Sequence, residues 1–153
     1  MATVYIGIGS NMGDRKANCM RAVELMTGRN IAVTKESSLY ETEPWGVKEQ
    51  PGFMNMAVMA ETNLSPEKLL AELKDIEKRM GRLATTRWGP RCIDLDILFY
   101  DDRILDEDTL CIPHPLLHRR EFVLLPLSEI APDKSHPVLK KTVGQLLEEL
   151  RNV

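Results

Sequence analysis

Two aspartates interrupt an otherwise apolar run in the segment RWGPRCIDLDILFY, residues 87–100. Successive side chains of an extended strand point to opposite faces, so we predict that the odd-numbered residues from Ile93 to Phe99 share a buried face and that Asp94 and Asp96 share the other. Two carboxylates about 7 Å apart raise each other's pKa unless a cation lies beside them. Mg²⁺ is a suitable cation, since it binds one or two carboxylates and completes its coordination shell with water and substrate phosphates. A strand face with two solvated acids is the simpler alternative.

A basic stretch leads into this pair of aspartates. Residues 78–92, KRMGRLATTRWGPRC, contain five Lys or Arg residues and no acid. Gly89 and Pro90 favour a loop over a helix. Arginines on one side and a metal on the other suit a phosphate chain, as in phosphoryl transfer. For Lys78 and Arg79, ion pairing at i,i+4 spacing on the preceding helix is the alternative.

The whole chain has the composition of an ordinary globular protein. Its 153 residues are 43% hydrophobic and 28% charged, which predicts one core and a single domain over residues 1–153. A net charge of −3 argues against nucleic-acid binding, so we expect the phosphates of a small molecule. Three cysteines without a close pair predict free thiols in a reducing compartment. No basic leader and no apolar stretch of membrane length is present, so we expect a cytoplasmic protein that does not bind membranes.

The predicted elements follow the order β-α-β-β-α-β. The strands are Thr3 to Gly9, Ile31 to Thr42, Phe53 to Thr62 and the aspartate-bearing run, and the helices begin at an Asp14 cap, ending near Gly28, and at a Ser65 cap with Pro66 in the first turn. Apolar helices around Glu121 to Ile130 and Thr142 to Arg151 follow. The order predicts an α+β fold with a ferredoxin-like antiparallel sheet and additional C-terminal elements.

The first predicted helix has an apolar stripe at helical spacing. Its members are Ala17, Met20, Ala22, Val23 and Met26.

The segment GIGSNMG, residues 7–13, lies between a strand and a helix. Its third glycine falls one place too late for the dinucleotide-binding pattern G-x-G-x-x-G, and no Gly-Lys-Ser/Thr follows for a P-loop. We interpret the segment as a tight strand-to-helix turn, in which Ser10 and Asn11 remain able to contact a ligand.

Cys111, His114 and His118 have a spacing found in zinc sites. A fourth ligand is missing, and the prolines on both sides of His114 disfavour a regular helix there, so zinc is the minor alternative. A histidine held by prolines could instead donate to a phosphate, beside the arginine pair at 119–120. We assign no role to His136.

A second candidate pocket surrounds Asn55 in the strand FMNMAVMA. Phe53 shares its face, and a buried amide needs a hydrogen-bonding partner. A flat heterocycle with an amide edge would pair with Asn55 and stack on the ring, with Thr42 as a further contact. Trp45 would cover this pocket or cap the core. The alternative is an edge-strand Asn55 facing water beside a core Phe53.

Several blocks of the sequence together resemble the 6-hydroxymethyl-7,8-dihydropterin pyrophosphokinase family of folate biosynthesis. The most specific block is RWGPRCIDLDIL, with Gly-Pro-Arg followed by two residues and Asp-aliphatic-Asp. The other blocks occur in the family's order and are IGIGSN, YETEPWG, QPGFMNMAV, IPHPLLHRREFVLLPLSEIAP and the Glu-x₄-Arg of Glu77 to Arg82. The resemblance therefore runs along nearly the whole chain.

The resemblance implies an activity and a set of site residues. The reaction would transfer the β,γ-pyrophosphoryl group of ATP to the pterin hydroxymethyl group, giving AMP and the pterin diphosphate. Asp94 and Asp96 would hold two Mg²⁺ and, with Arg82 and Arg91, form the catalytic group. Carried over position by position, the ATP-binding residues are Glu77, Trp88, Arg91, His114 and Arg120, and the pterin-binding residues are Thr42, Pro44, Trp45, Phe53, Asn55 and Phe122.

The resemblance further implies that the protein binds ATP and the reduced hydroxymethylpterin and that it is a monomer.

Two other functions fit parts of the sequence. A different Mg²⁺-dependent phosphoryl or nucleotidyl transferase would release ADP or pyrophosphate and leaves the pocket formed by Phe53, Asn55 and Phe122 without a purpose. A binding module without turnover would not need arginines around Asp94 and Asp96.

Overall fold

The computed structural model describes residues 1–42, 52–81 and 93–152, and the side chain of Thr42 lies outside that description. Five of the predicted site residues also fall outside it, namely Pro44, Trp45, Arg82, Trp88 and Arg91. The elements, in chain order, are β1 (Ala2–Ser10), α1 (Arg15–Thr27), β2 (Ile31–Glu36), β3 (Tyr40–Thr42), β4 (Phe53–Thr62), α2 (Pro66–Gly81), β5 (Asp94–Tyr100), β6 (Leu105–Asp106), β7 (Cys111–Ile112), a 3₁₀ turn (Leu117–Arg119), α3 (Glu121–Ile130) and α4 (Val143–Arg151).

The main sheet has five antiparallel strands. The order across it is β2-β4-β1-β5, and β3 pairs with β4 beyond the end of β2. β1 lies in the middle, antiparallel to β4 on one side and to β5 on the other. With α1 and α2 as the crossover helices, this is the ferredoxin-like arrangement predicted from the order of elements.

The predicted helix starts are confirmed by their caps. The Asp14 side chain accepts from the backbone N–H of Ala17 at 3.1 Å, and the Ser65 hydroxyl accepts from Lys68 N–H at 3.3 Å. Thr142 and Gln145 form a reciprocal capping box at the start of α4. In α1, however, the buried side chains are Cys19, Ala22, Val23 and Met26. Ala17 and Met20, predicted as members of the apolar stripe, are exposed, because the buried stripe passes through Cys19 instead.

The strand predicted over residues 31–42 is divided in two. Ser37 N–H donates to the Ala57 carbonyl at 2.9 Å, and Ala57 N–H donates to the Ser37 hydroxyl at 2.9 Å. A side-chain oxygen thus replaces a backbone carbonyl in the ladder, as serine can do. The chain leaves β2 at this point and resumes pairing with β4 at Tyr40.

Helices cover both faces of the sheet. α1 and α2 pack on one face over Val4, Ile6 and Ile8 of β1. α3 and α4 pack on the other face, where Tyr5 and Ala57 belong to the second core cluster. The additional C-terminal elements therefore make the molecule a three-layer structure.

β5 carries a bulge that changes which face its side chains occupy. Ile97 pairs with Ile6 and Phe99 pairs with Tyr5, so Leu98 is an extra residue in the ladder. Phe99 consequently packs with Leu98 in the α3–α4 layer, whereas Ile97 packs in the α1–α2 layer. The prediction that Phe99 shares the face of Ile93 was wrong, because the extra residue reverses the alternation. Among the described elements, none of the helices has the length and apolarity needed to cross a bilayer.

Candidate active site

Two glycines of β1 separate the two predicted halves of the site. Gly9 pairs with Asn55 of β4 on one side and with Asp94 of β5 on the other. Gly7 lies in the same way beside Asp96. Because side chains two residues apart point to the same face of a strand, all five positions lie on the face that α3 and α4 partly cover. No β1 side chain stands between the amide and the carboxylates.

Steric crowding explains why position 9 is a glycine. A Cβ built there would lie 2.9 Å from Oδ1 of Asn55 and 3.6 Å from the ring of Phe53. A Cβ at Gly7 would meet the flexible Leu98 side chain at 3.4 Å. Gly7 and Gly9 lie in the strand predicted over Thr3 to Gly9, and in the segment GIGSNMG only Gly13, with φ of +65°, has a turn conformation that favours glycine. The two-residue spacing of Gly7 and Gly9 with Tyr5, typical of a strand face, is the signal that could have placed the glycines in the site.

Asn55 and Phe53 form the β4 side of the site. Asn55 is only 6% exposed, and β4 lies between β1 and β3 rather than at the sheet edge. The alternative of a solvated edge-strand asparagine is therefore wrong. β3 extends the same surface, since Tyr40 pairs with Asn55 and Thr42 pairs with Phe53.

Asp94 and Asp96 form the β5 side of the site, and both are half-buried. Glu77 of α2 holds this strand end, because its Oε2 accepts from Leu95 N–H at 2.8 Å. The Glu77 side chain is 12% exposed and also lies 3.3 Å from Lys74 Nζ. The bonded N–H belongs to the residue between the two aspartates, so Glu77 helps to fix their position. Its predicted contact with ATP stays a prediction.

His114 lies close to the aspartate pair. The backbone N–H of His114 donates to the Leu98 carbonyl at 3.1 Å, which attaches this turn to β5. The turn follows a cis Ile112–Pro113 peptide bond. Burial lowers the pKa of His114, the negative charge of Asp96 opposes that shift, and Arg120 adds to it. Nδ1 accepts from Leu116 N–H at 3.2 Å, so the neutral ring carries its proton on Nε2. Nε2–H can therefore donate to an anion.

Arg120 connects this charged region with the start of α3. It is the residue before the helix, and its guanidinium carbon lies 5.5 Å from the centroid of the Phe122 ring. The contact keeps the guanidinium and the ring side by side on the helix that packs over β4. Arg120 and Phe122, predicted to serve different substrates, are thus immediate neighbours.

The described donors near the aspartates suit a hard cation. Within residues 1–42, 52–81 and 93–152, no three His, Cys, Asp or Glu side chains come together to hold a metal. Two members of the zinc alternative contact different groups. Cys111 Sγ lies 3.7 Å from Asp106 Oδ1, and the His114 ring accepts from the backbone N–H of Leu116. Two half-buried carboxylates match Mg²⁺, which takes its remaining ligands from water and substrate phosphates.

Ser10 and Asn11 follow the glycines at the end of β1, and both are buried. The Ser10 hydroxyl accepts from the Asn18 amide at 3.2 Å, which attaches this turn to α1. Oδ1 of Asn11 is buried without a hydrogen-bond partner among the described atoms. A contact of either residue with a ligand stays a prediction.

Comparison with known proteins identifies one family. Residues 5–132 match the sequence model of the family described as 7,8-dihydro-6-hydroxymethylpterin-pyrophosphokinase. A relative from Aquifex aeolicus named 2-amino-4-hydroxy-6-hydroxymethyldihydropteridine pyrophosphokinase is 41% identical over 149 residues, which cover 97% of this chain and 92% of the relative. A relative of the same name from Bacillus subtilis is 46% identical, covering 82% of this chain and 76% of the relative.

Other relatives are longer. The chain spans 20% of the folic acid synthesis protein fol1 of Pneumocystis carinii, at 45% identity. Among solved structures, Plasmodium falciparum HPPK-DHPS with pteroate superposes with a TM-score of 0.76 at 18% identity, covering 97% of this chain and 42% of that one. At that identity the likeness concerns the fold, and it agrees with the sheet order described above.

Proposed function

The chain belongs to the 7,8-dihydro-6-hydroxymethylpterin-pyrophosphokinase family, the pyrophosphokinases of folate synthesis, and on that premise we propose how its residues transfer pyrophosphate from ATP to the pterin. The observation that carries the proposal is the position of Gly9 between Asn55 and Asp94 on one sheet face. An amide suited to a heterocycle and a carboxylate suited to a metal are thus neighbours across a single strand. The two substrates can meet above β1.

The pterin would bind on the β4 side. Asn55 would pair with the amide edge of the heterocycle, because a buried amide has donors and an acceptor to satisfy. Phe53 and Phe122 would stack on the ring from the sheet and from α3. Thr42, Pro44 and Trp45 complete the proposed pocket.

By the resemblance to the family, Asp94 and Asp96 would hold two Mg²⁺, and two half-buried carboxylates on the same face are donors that suit such an ion. When bound, Mg²⁺ neutralises phosphate oxygens and orients the phosphate chain. Glu77 supports this arrangement, because its hydrogen bond to Leu95 N–H limits movement of the strand between the two aspartates.

The nucleotide would bind along the β5 side through positive and hydrogen-bonding groups. His114, through Nε2–H, and Arg120 would donate to phosphate oxygens. Glu77, Trp88 and Arg91 are the other proposed nucleotide contacts. Arg82 and Arg91 would neutralise charge that develops on the transferred group.

In the reaction, the pterin hydroxymethyl oxygen attacks the β-phosphorus of ATP. The bond from the β-phosphorus to the oxygen shared with the α-phosphate breaks, and AMP leaves with that electron pair. The hydroxyl proton passes to solvent. The protein therefore acts mainly by holding the two substrates in line and by matching the charge of the phosphate chain.

We also propose that residues 1–153 form one domain and act as a monomer. Both faces of the single main sheet are covered by helices of the same chain, which supports this view. Sedimentation equilibrium at several concentrations would test it, and a concentration-dependent mass would contradict it.

The nucleotide product tests the proposed reaction. The protein is incubated with ATP, Mg²⁺ and the reduced hydroxymethylpterin, and AMP is separated from ADP by chromatography. AMP that forms only when pterin is present is the expected result. ADP as the product would indicate transfer of a single phosphoryl group and would overturn the proposal.

A further inference from the structure

Glu129, near the end of α3, holds the chain that enters β3. Its carboxylate accepts from Ser38 N–H at 3.0 and 3.1 Å and from the Ser38 hydroxyl at 3.2 Å. It also accepts from the Tyr40 hydroxyl at 2.6 Å. The partners are about ninety residues apart in sequence, so these bonds join α3 to the edge of the sheet. A carboxylate that receives several hydrogen bonds at once is a well-defined anchor.

Arg15, at the start of α1, holds β3 from the opposite face. One guanidinium nitrogen donates to the Gly52 carbonyl at 2.6 Å, and the other lies 3.3 Å from Glu41 Oε2. Tyr40 and Glu41 are consecutive in a strand, so their side chains point to opposite faces. The three-residue β3 is therefore attached to α3 on one face and to α1 on the other.

β3 lies directly beside the proposed pterin residues. Tyr40 pairs with Asn55, and Thr42 pairs with Phe53. Gly52, the acceptor for Arg15, immediately precedes Phe53. Phe122 and Glu129 are seven residues apart in α3, which places them on the same side of that helix. The carboxylate that holds β3 is thus on the side of α3 that also carries the second proposed stacking ring.

From this arrangement we infer that Glu129 and Arg15 are positioning residues that fix β3 against β4 and α3 and so set the affinity for the pterin. The inference rests on the proposed function, because it concerns the pterin half of the same site. Neither residue contacts the reacting atoms in this account. Their effect passes through Tyr40, Glu41 and Gly52 to the strand positions beside Asn55 and Phe53.

This role differs from a contribution to overall stability. Loss of Glu129 frees the end of β3 and the adjoining side of α3, whereas β5 with Asp94 and Asp96 lies across β1 from that region. The pterin KM should therefore rise while the ATP KM and the maximal rate change little. A purely structural role would lower the fraction of active enzyme and leave both KM values unchanged.

The test compares Glu129→Ala, Tyr40→Phe, Arg15→Ala and the double variant of the first two in steady-state kinetics. We expect Glu129→Ala and Arg15→Ala to raise the pterin KM about tenfold and the ATP KM less than about twofold. Tyr40→Phe removes one hydroxyl and should give a smaller increase. The double variant should be no worse than Glu129→Ala, because both changes remove the same bond. Glu129→Gln retains an acceptor for Tyr40 and should recover part of the affinity.

Glu149→Ala is the matched control, since it removes an exposed carboxylate of α4 that pairs with Lys141, which precedes the helix. Its KM values should equal those of the wild type. Unchanged pterin KM in Glu129→Ala and Arg15→Ala, or equal increases for both substrates, would overturn the inference. Tyr40→Phe keeps the test decisive if Glu129→Ala does not fold.

A fluorescence titration of pterin in the presence of a non-hydrolysable ATP analogue separates the two proposals. Absence of AMP from the wild type would contradict the proposed reaction, whereas weaker pterin binding by the Glu129 and Arg15 variants would still support the positioning role. If the wild type makes AMP and the variants bind pterin normally, the positioning role alone is wrong. If the wild type does not bind pterin, both proposals are wrong.

Discussion

Gly9 lies opposite Asn55 in the β1–β4 ladder, and a Cβ at Gly9 would stand 2.9 Å from the Asn55 amide oxygen. Gly9→Ala should therefore displace the Asn55 amide. We expect kcat/KM for pterin to fall by about 10²-fold, the effect of misplacing a substrate by about 1 Å, while the ATP KM stays within about twofold. Steady-state kinetics with each substrate varied in turn would measure this. The control is Gly28→Ala, where a Cβ would meet only the Leu25 carbonyl at 4.0 Å. An active Gly9→Ala enzyme with normal pterin KM would contradict the assignment of Asn55.

Removal of one carboxylate should abolish most turnover without unfolding the protein. We expect Asp96→Ala to lower kcat by a factor on the order of 10² or more, because a metal contributes several kcal/mol to stabilising the developing charge. Thermal unfolding followed by circular dichroism should remain cooperative. Asp108→Ala, which removes an exposed acid of the segment between β6 and β7, is the control. Near-normal AMP formation by Asp96→Ala at limiting Mg²⁺ would refute metal binding by this pair.

Loss of the Phe122 ring should affect the two substrates unequally. Phe122→Ala removes a proposed stacking surface for the pterin, so we expect the pterin KM to rise about tenfold and the ATP KM to rise much less. Phe122→Tyr keeps the aromatic face and should restore the pterin KM. The Arg120 guanidinium also packs on this ring, so a small effect on ATP is expected. Equal increases in the two KM values would count against a stacking role.

His136 should make the stability of the protein fall in mild acid. The residue is 5% exposed, its ring lies edge-on to Phe99, and its Nδ1 accepts from the N–H groups of Val138 and Leu139. Burial lowers the pKa of His136, and the nearby His118 lowers it further. The folded state therefore resists protonation, so the stabilising contribution is complete above the ordinary histidine pKa of about 6.5 and decreases as the pH falls through that value.

The measurement is the urea midpoint of unfolding at pH 7.5 and 5.5. In His136→Asn a side-chain oxygen can still accept from the same N–H groups but does not titrate, so the difference between the two midpoints should shrink. His118→Asn removes the neighbouring charge and should have a smaller effect in the same direction. Wild-type and His136→Asn midpoints that change in parallel with pH would show that His136 is not the responsible group.

The elements and their order could be predicted from the sequence because their signals are local. A cap such as Ser65 with Pro66 one residue later acts within a single helical turn, and α2 begins as predicted. The Arg79 side chain pairs with Asp75 at 3.1 Å, the i,i+4 alternative considered for it. The ferredoxin-like antiparallel sheet was then predicted from the order of those elements.

The errors came from contacts between residues distant in sequence. Division of the predicted strand at Ser37 depends on Ala57, which presents its N–H and carbonyl to that serine. The bulge at Leu98 depends on the ladder with β1, and nothing in the apolar run LDILFY marks it. His136 was assigned no role because its contact with Phe99 exists only in the folded chain. Glu129 was missed for the same reason.

The extra residue in β5 gives that strand one position at which it can lose a residue. Asp94 and Asp96 precede Leu98, whereas Phe99 and Tyr100 follow it on opposite faces. Deletion of Leu98 would leave Ile97 paired with Ile6 and Phe99 paired with Tyr5 in a regular ladder, so the carboxylates and Tyr100 would keep their faces. Deletion of any single residue from Leu95 to Ile97 would instead have to be absorbed by the bulge, since a shift of one position exchanges the two faces of a strand. Gaps among related sequences should therefore occur at position 98 rather than at the aspartates.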